Sequence, residues 1–155
     1  MRKLILTLML ISAGVAMKAG VAGKRVSCGE IGAVRRIPFH AGDPVKDDAY
    51  NKLLLKSWGA VPCLIHQITN MHRTADPRSA PQFGDVRVGD VAFWVIKDIT
   101  GVPYDEMFPP DLVARFPDEG VYAYFDWVAK PGNRKRLQTK VLEWCKSHQP
   151  DGANL

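Results

Sequence analysis

The sequence predicts an all-α fold, a single irregular helical array of about five to six helices around one buried central helix. Three observations carry that expectation. Residues 88–101, VGDVAFWVIKDITG, are apolar on nearly every helical side and are bounded by helix start and stop signals. Tyr50, Leu53, Leu54 and Trp58 recur at three- and four-residue spacing, the helical period. Leu137, Val141, Trp144 and Cys145 follow the same spacing in a segment otherwise rich in Lys and Arg.

The chain has 155 residues, of which 46% are hydrophobic and 24% charged, values ordinary for a globular protein. That length favours one domain, able to bury roughly two-thirds of its unfolded surface. The N-terminus reads as a secretory signal peptide over residues 1–22: Arg2 and Lys3, an apolar run from Leu4 to Val15, then small residues to Ala22. The run is shorter than the ~20 residues a bilayer span needs, so no stable membrane anchor is expected after cleavage. Cleavage removes Arg2, Lys3 and Lys18 and no acid, taking the formal charge from +5 to +2. A nucleic-acid partner is disfavoured, because that function needs a concentrated basic footprint.

The remaining organisation is an irregular lead-in over 23–43, a helical domain over 44–148 and a polar tail over 149–155. In the lead-in, Val26, Ile31, Val34 and Ile37 suggest a short helix. Asp43 and Pro44 open a helix of about 44–58, as cap and first-turn proline, and Gly59 stops it. A second, short helix follows over 60–68, with Pro62 near its first turn and Leu64, Ile65 and Ile68 as its apolar side. The break at Gly59 predicts that these two helices are antiparallel neighbours. Residues 70–87, with Pro77, Pro81 and Gly84, read as a long loop, of the kind that is usually functional. At the start of the central helix Asp85 or Asp90 meets the positive end of the dipole, while Gly101 and Pro103 end the element. Asp90, Lys97 and Asp98 are expected to resist burial there.

The connector 102–117 predicts a short helix from Pro109-Pro110-Asp111 to Pro117, with Leu112, Val113 and Phe116 inward. Asp118 is expected to cap a helix running from Glu119 to about Ala129. Its inward side would hold Val121, Tyr122, Phe125 and Val128, leaving Tyr124 and Trp127 partly exposed. The last helix is expected over 133–147, with Arg134, Lys135, Arg136, Lys140 and Lys146 outward. The acidic stretch from Asp105 to Glu119 would make the opposite electrical end of the domain.

The segment LLLKSWGAVPCLIHQI, residues 53–68, resembles one helical pair of the HEAT and armadillo type in its leucines, its Gly break, Val61-Pro62 and Leu64-Ile65. The resemblance implies a helical array. No second copy recurs at a fixed period, so a solenoid is not expected.

Catalytic and metal-binding grammar is sparse. His40, His66, His72 and His148 lack ligand spacing, and there is no nucleophile elbow, P-loop or dinucleotide turn. No cofactor and no metal are expected. Asp90 and Asp98 would lie about 12 Å apart along a helix, wider than the usual carboxylate pairs of glycosidases. Cys28, Cys63 and Cys145 allow one disulfide and one leftover thiol, and their pairing cannot be read from the sequence.

The expected function is that of a small exported, non-enzymatic domain that binds another protein, of the inhibitor or immunity type in a bacterial periplasm. The expected contact residues are Arg73 and Arg78 in the loop, with Arg134, Lys135, Arg136 and Lys140 on the last helix. The alternatives are a cell-envelope hydrolase using an acidic pair or Cys63, and a structural envelope protein.

Overall fold

The central helix is where the expectation placed it. In the computed structural model, which describes residues 26–38, 47–80, 84–153 and 155, it is α3, Val88–Thr100. The expected signal peptide and the Asp43-Pro44 opener lie outside the described residues. All nine residues from Val88 to Ile96 are buried, and Gly101 ends the helix in the left-handed conformation at φ 73°. Only a residue without Cβ adopts that conformation without strain.

The other helices lie around α3. They are α1 (Asp48–Leu55), α2 (Val61–Gln67), α7 (Val121–Ala129) and α8 (Asn133–His148), with three single turns between α3 and α7: α4 (Tyr104–Met107), α5 (Pro110–Val113) and α6 (Phe116–Glu119). The described residues are thus all-α, except for a two-residue hairpin of β1 (Ser79–Ala80) and β2 (Gly84–Asp85), antiparallel with Ser79 opposite Asp85.

Several local expectations need correction. The first helix starts at Asp48, where Asp47 is the cap and accepts the Tyr50 N–H at 2.8 Å. It is followed by a 3-10 turn, Ser57–Ala60, with Ser57 at φ 49°. That turn separates α1 from α2, and each packs on α3 rather than on the other. The antiparallel pair suggested by the HEAT-like segment therefore does not form: both helices pack on the central helix instead. The loop 70–87 is not irregular throughout, because its two limbs pair. Arg73 bridges to Arg87, and the Val88 and Gly89 N–H groups donate to the His72 and Asn70 carbonyls.

Asp118 lies inside α6, and Pro117 sits at the second position of that turn rather than ending the one before it. Gly120, at φ 56°, then redirects the chain into α7. The inward side of α7 is accordingly not the expected one: Tyr124 and Trp127 are buried, and Tyr122 is 51% exposed. Tyr124 stacks on Phe93 of α3, with ring centroids 5.5 Å apart. An aromatic cluster continues through Phe108, Trp94 and Tyr104, a packing mode worth about 0.5–1.5 kcal/mol per pair beyond area burial.

The lead-in forms a 3-10 turn, Gly29–Ala33, and buries Ile31, Val34 and Ile37. It is tied down covalently by a Cys28–Cys63 disulfide, with Cα atoms 6.0 Å apart and a sequence separation of 35. Removing both sulfurs as Cys28→Ser/Cys63→Ser should cost about 3–4 kcal/mol, mostly by freeing the unfolded chain. Urea unfolding of the variant beside the oxidised protein measures it, and equal midpoints would refute it. Lys56 reinforces the same junction through the Glu30 carboxylate and the Ser27 carbonyl, each at 2.6 Å.

Candidate functional site

α8 sorts its residues by helical position. Leu137, Val141 and Cys145 face the core. Lys135, Arg136, Lys140 and Lys146 are exposed. Among the described residues none of these four makes an ion pair: Lys135 donates to Gln138 Oε1 at 2.7 Å and Lys140 to the Glu106 carbonyl at 3.1 Å. By contrast Lys56, Arg73, Arg78, Arg87, Arg115 and Lys130 are each paired with a carboxylate.

Three of the six expected contact residues behave differently from the rest. Arg134 is not on the outer face. It sits three residues before Leu137, hence on the same side of the helix, and its side chain is only 12% exposed. It points at the first turn of α3, where Nη2 pairs with Asp90 Oδ1 at 2.7 Å. Arg78 is a clamp within the fold: it grips Asp76 through Nε and Nη2, at 2.8 and 2.6 Å, and Nη2 also donates to the Ile37 carbonyl. Arg73 remains accessible, 69% exposed, but pairs with Asp85 across the hairpin. The hairpin base and the start of α8 meet at one end of α3, since Gly89 donates to Asn70 and Arg134 lies against Gly89. The acidic connector is not an opposite pole, because α4 packs against α8.

Sequence reasoning missed the polar centre of the fold. Asp90, expected to resist burial, is fully buried. Its Oδ2 accepts the Arg87 N–H at 2.8 Å, closing the helix N-terminus, and its Oδ1 accepts the Tyr124 hydroxyl at 3.0 Å beside the Arg134 ion pair. Burial works against the Arg134 charge, but the facing Tyr124 and Asp90 oxygens outweigh it and hold the guanidinium above its ordinary value. At the other end of α3, Asp98 accepts the Tyr50 hydroxyl at 2.6 Å. Asp90 and Asp98 thus bind groups of the fold itself, through Tyr124 and Arg134 at one end and Tyr50 at the other.

Cys63 has no thiol, since its sulfur is bonded to Cys28, and this overturns its assignment as a nucleophile. Cys145 is fully buried, and burial pushes its thiol up to about 11, away from the thiolate form. No three His, Cys, Asp or Glu residues gather as metal ligands among the described residues, and no helix among them is long and apolar enough to cross a membrane.

Three of the four tyrosines are held as neutral phenols. Burial, then the Asp98 hydrogen bond and charge, raise Tyr50; burial and the Asp98 charge raise Tyr104; burial and the Asp90 charge raise Tyr124. A folded value above the unfolded phenol value of about 10 means stability is full below that pH and lost as pH rises through the folded values. At pH of about 10.5 an unfolded phenol is roughly three-quarters ionised, so the phenolate absorbance of the native protein should fall short of that of the denatured chain by roughly two side chains' worth. Superimposable native and denatured titrations would contradict this.

No protein-family model matches the chain, and no curated protein or solved structure matches it either.

Proposed function

We propose that this is an exported, non-enzymatic protein-binding domain, of the inhibitor or immunity type in a bacterial periplasm, whose contact surface is the outer face of α8. The observation that carries the reading is the set of exposed cations Lys135, Arg136, Lys140 and Lys146, without carboxylate partners among the described residues, in a domain whose other described basic side chains are mostly paired. Unpaired surface charge of one sign steers and orients a partner of the other, here an acidic protein surface. Arg73, at the exposed base of the hairpin, extends the surface; Arg134 and Arg78 belong to the fold and drop out of it. Export is supported by the disulfide, a bond that persists in oxidising compartments.

The triple variant Lys135→Glu/Arg136→Glu/Lys140→Glu tests the reading, because these exposed positions contribute little to stability. In crosslinking from intact cells, an acidic envelope protein captured by the parent should be lost from the variant, while the melting temperature changes by no more than a few degrees. An identical set of captured proteins, or none for either, would remove the basic face as a binding surface.

A further inference from the structure

A second group of cations, unpaired among the described residues, lies away from α8, where the lead-in meets the N-terminal half of α1. We propose that the groove between them is a binding site for a small molecule carrying carboxylate or phosphate groups. The groove has a volume of about 710 Å³ and is lined by Arg35, Arg36 and Lys52, together with Glu30, Asp47 and Asp48. That volume is within the range of ligand clefts and well above that of a single inorganic anion.

The lining looks balanced in charge by composition, but not in availability. Glu30 is engaged by Lys56 at 2.6 Å, which holds its carboxyl below the ordinary range. Asp47 is buried and accepts two backbone N–H groups, those of Arg35 and Tyr50, each at 2.8 Å. The guanidinium groups of Arg35 and Arg36 and the ammonium of Lys52 make no hydrogen bond or ion pair among the described residues. Asp48 alone of the three acids is unengaged among the described residues, whose side chains give the groove an excess of cationic donors. A concave wall concentrates that field, and guanidinium groups are suited by their planar fork to carboxylate and phosphate oxygens. Glu30 and Asp47, already occupied, position the wall: the Asp47 carboxylate fixes the Arg35 backbone and the start of α1 together.

The site is separate from the protein-binding face. α1 packs on the lead-in and on α3, whereas α8 packs on α2, α4 and α7. The two readings therefore fail independently.

The test is an amide-resolved NMR titration of the disulfide-bonded protein with citrate and, separately, with inorganic phosphate, at ionic strength held constant with sodium chloride. Saturable shifts are expected at the amides of Arg35, Arg36, Asp48 and Lys52 with at least one probe. Saturation with citrate alone assigns a carboxylate ligand, and saturation with phosphate alone a phosphate ligand. Arg35→Gln/Arg36→Gln should weaken binding about tenfold, the scale of a charge-assisted hydrogen bond, while the α8 triple variant leaves it unchanged. Linear, unsaturated shifts with both probes, or saturation that survives Arg35→Gln/Arg36→Gln, would overturn the site.

Discussion

Gly89→Ala should destabilise the domain by more than about 3 kcal/mol, beyond the usual range for an added methyl because the contact is with backbone. Helix propensity alone predicts the opposite, a gain of about 1 kcal/mol for alanine over glycine inside a helix. Packing decides the sign. A Cβ at Gly89 would lie 2.2 Å from the Ile68 carbonyl oxygen and 2.9 Å from Arg134 Nη1. The carbonyl belongs to the end of α2, which packs closely on α3, and cannot retreat without parting the two helices. Gly89 also donates its N–H to Asn70, so the same shift would break the hairpin base. Gly32→Ala is the control, because a Cβ there meets nothing within 4 Å among the described residues. Chemical unfolding of both variants separates the effects, and a Gly89→Ala protein as stable as its parent would show that the close approach of α2 to α3 is wrong.

Asp90→Asn should cost about 3–5 kcal/mol, the range for removing one partner of a buried ion pair. The substitution keeps the shape and removes the charge. Arg134 would then be left buried with no anion, and its Nε and Nη1 already lack hydrogen-bond partners among the described residues. One amide oxygen would also have to replace two carboxylate oxygens, which between them satisfy the Arg87 N–H, the Tyr124 hydroxyl and the Arg134 guanidinium. Because the cost comes mainly from the orphaned cation, Asp90→Asn/Arg134→Met should be more stable than Asp90→Asn alone. A double-mutant cycle reads the coupling directly. Additive losses at the two positions would mean that the pair is solvated and unimportant.

Strong local signals in the sequence carried the central helix and the last one to their observed places. α3 runs from Val88 to Thr100 because its apolar run and its Gly101 stop agree. α8 starts at Asn133, after Gly132. The single turns between Tyr104 and Glu119 were only partly legible, since four-residue elements have no period to detect and Pro109, Pro110 and Pro117 fit starts as well as stops. The polar centre depended on tertiary partners. Nothing local to Asp90 announces that Tyr124, 34 residues on, will donate to it. Arg134 is different: its three-residue offset from Leu137 marked it as inward, but its place among four neighbouring basic residues suggested a uniform outer face. Of the expected contact surface, Lys135, Arg136, Lys140 and Arg73 remain accessible, because their helix or hairpin positions point away from the core.

The two carboxylates on α3 settle a question that apolar packing leaves open. A helix greasy on almost every side could turn about its own axis and still bury nearly the same area, so hydrophobicity by itself specifies its location but not its angle. Asp90 and Asp98 are eight residues apart, which places them roughly 80° apart around the axis at opposite ends of the helix. One meets α7 and α8 through Tyr124 and Arg134, the other meets α1 through Tyr50. A rotation large enough to exchange apolar neighbours would break both connections at once. The pair acts as a key in a shaft: it gives the domain one azimuth for its central helix, and so one arrangement of every surface built upon it.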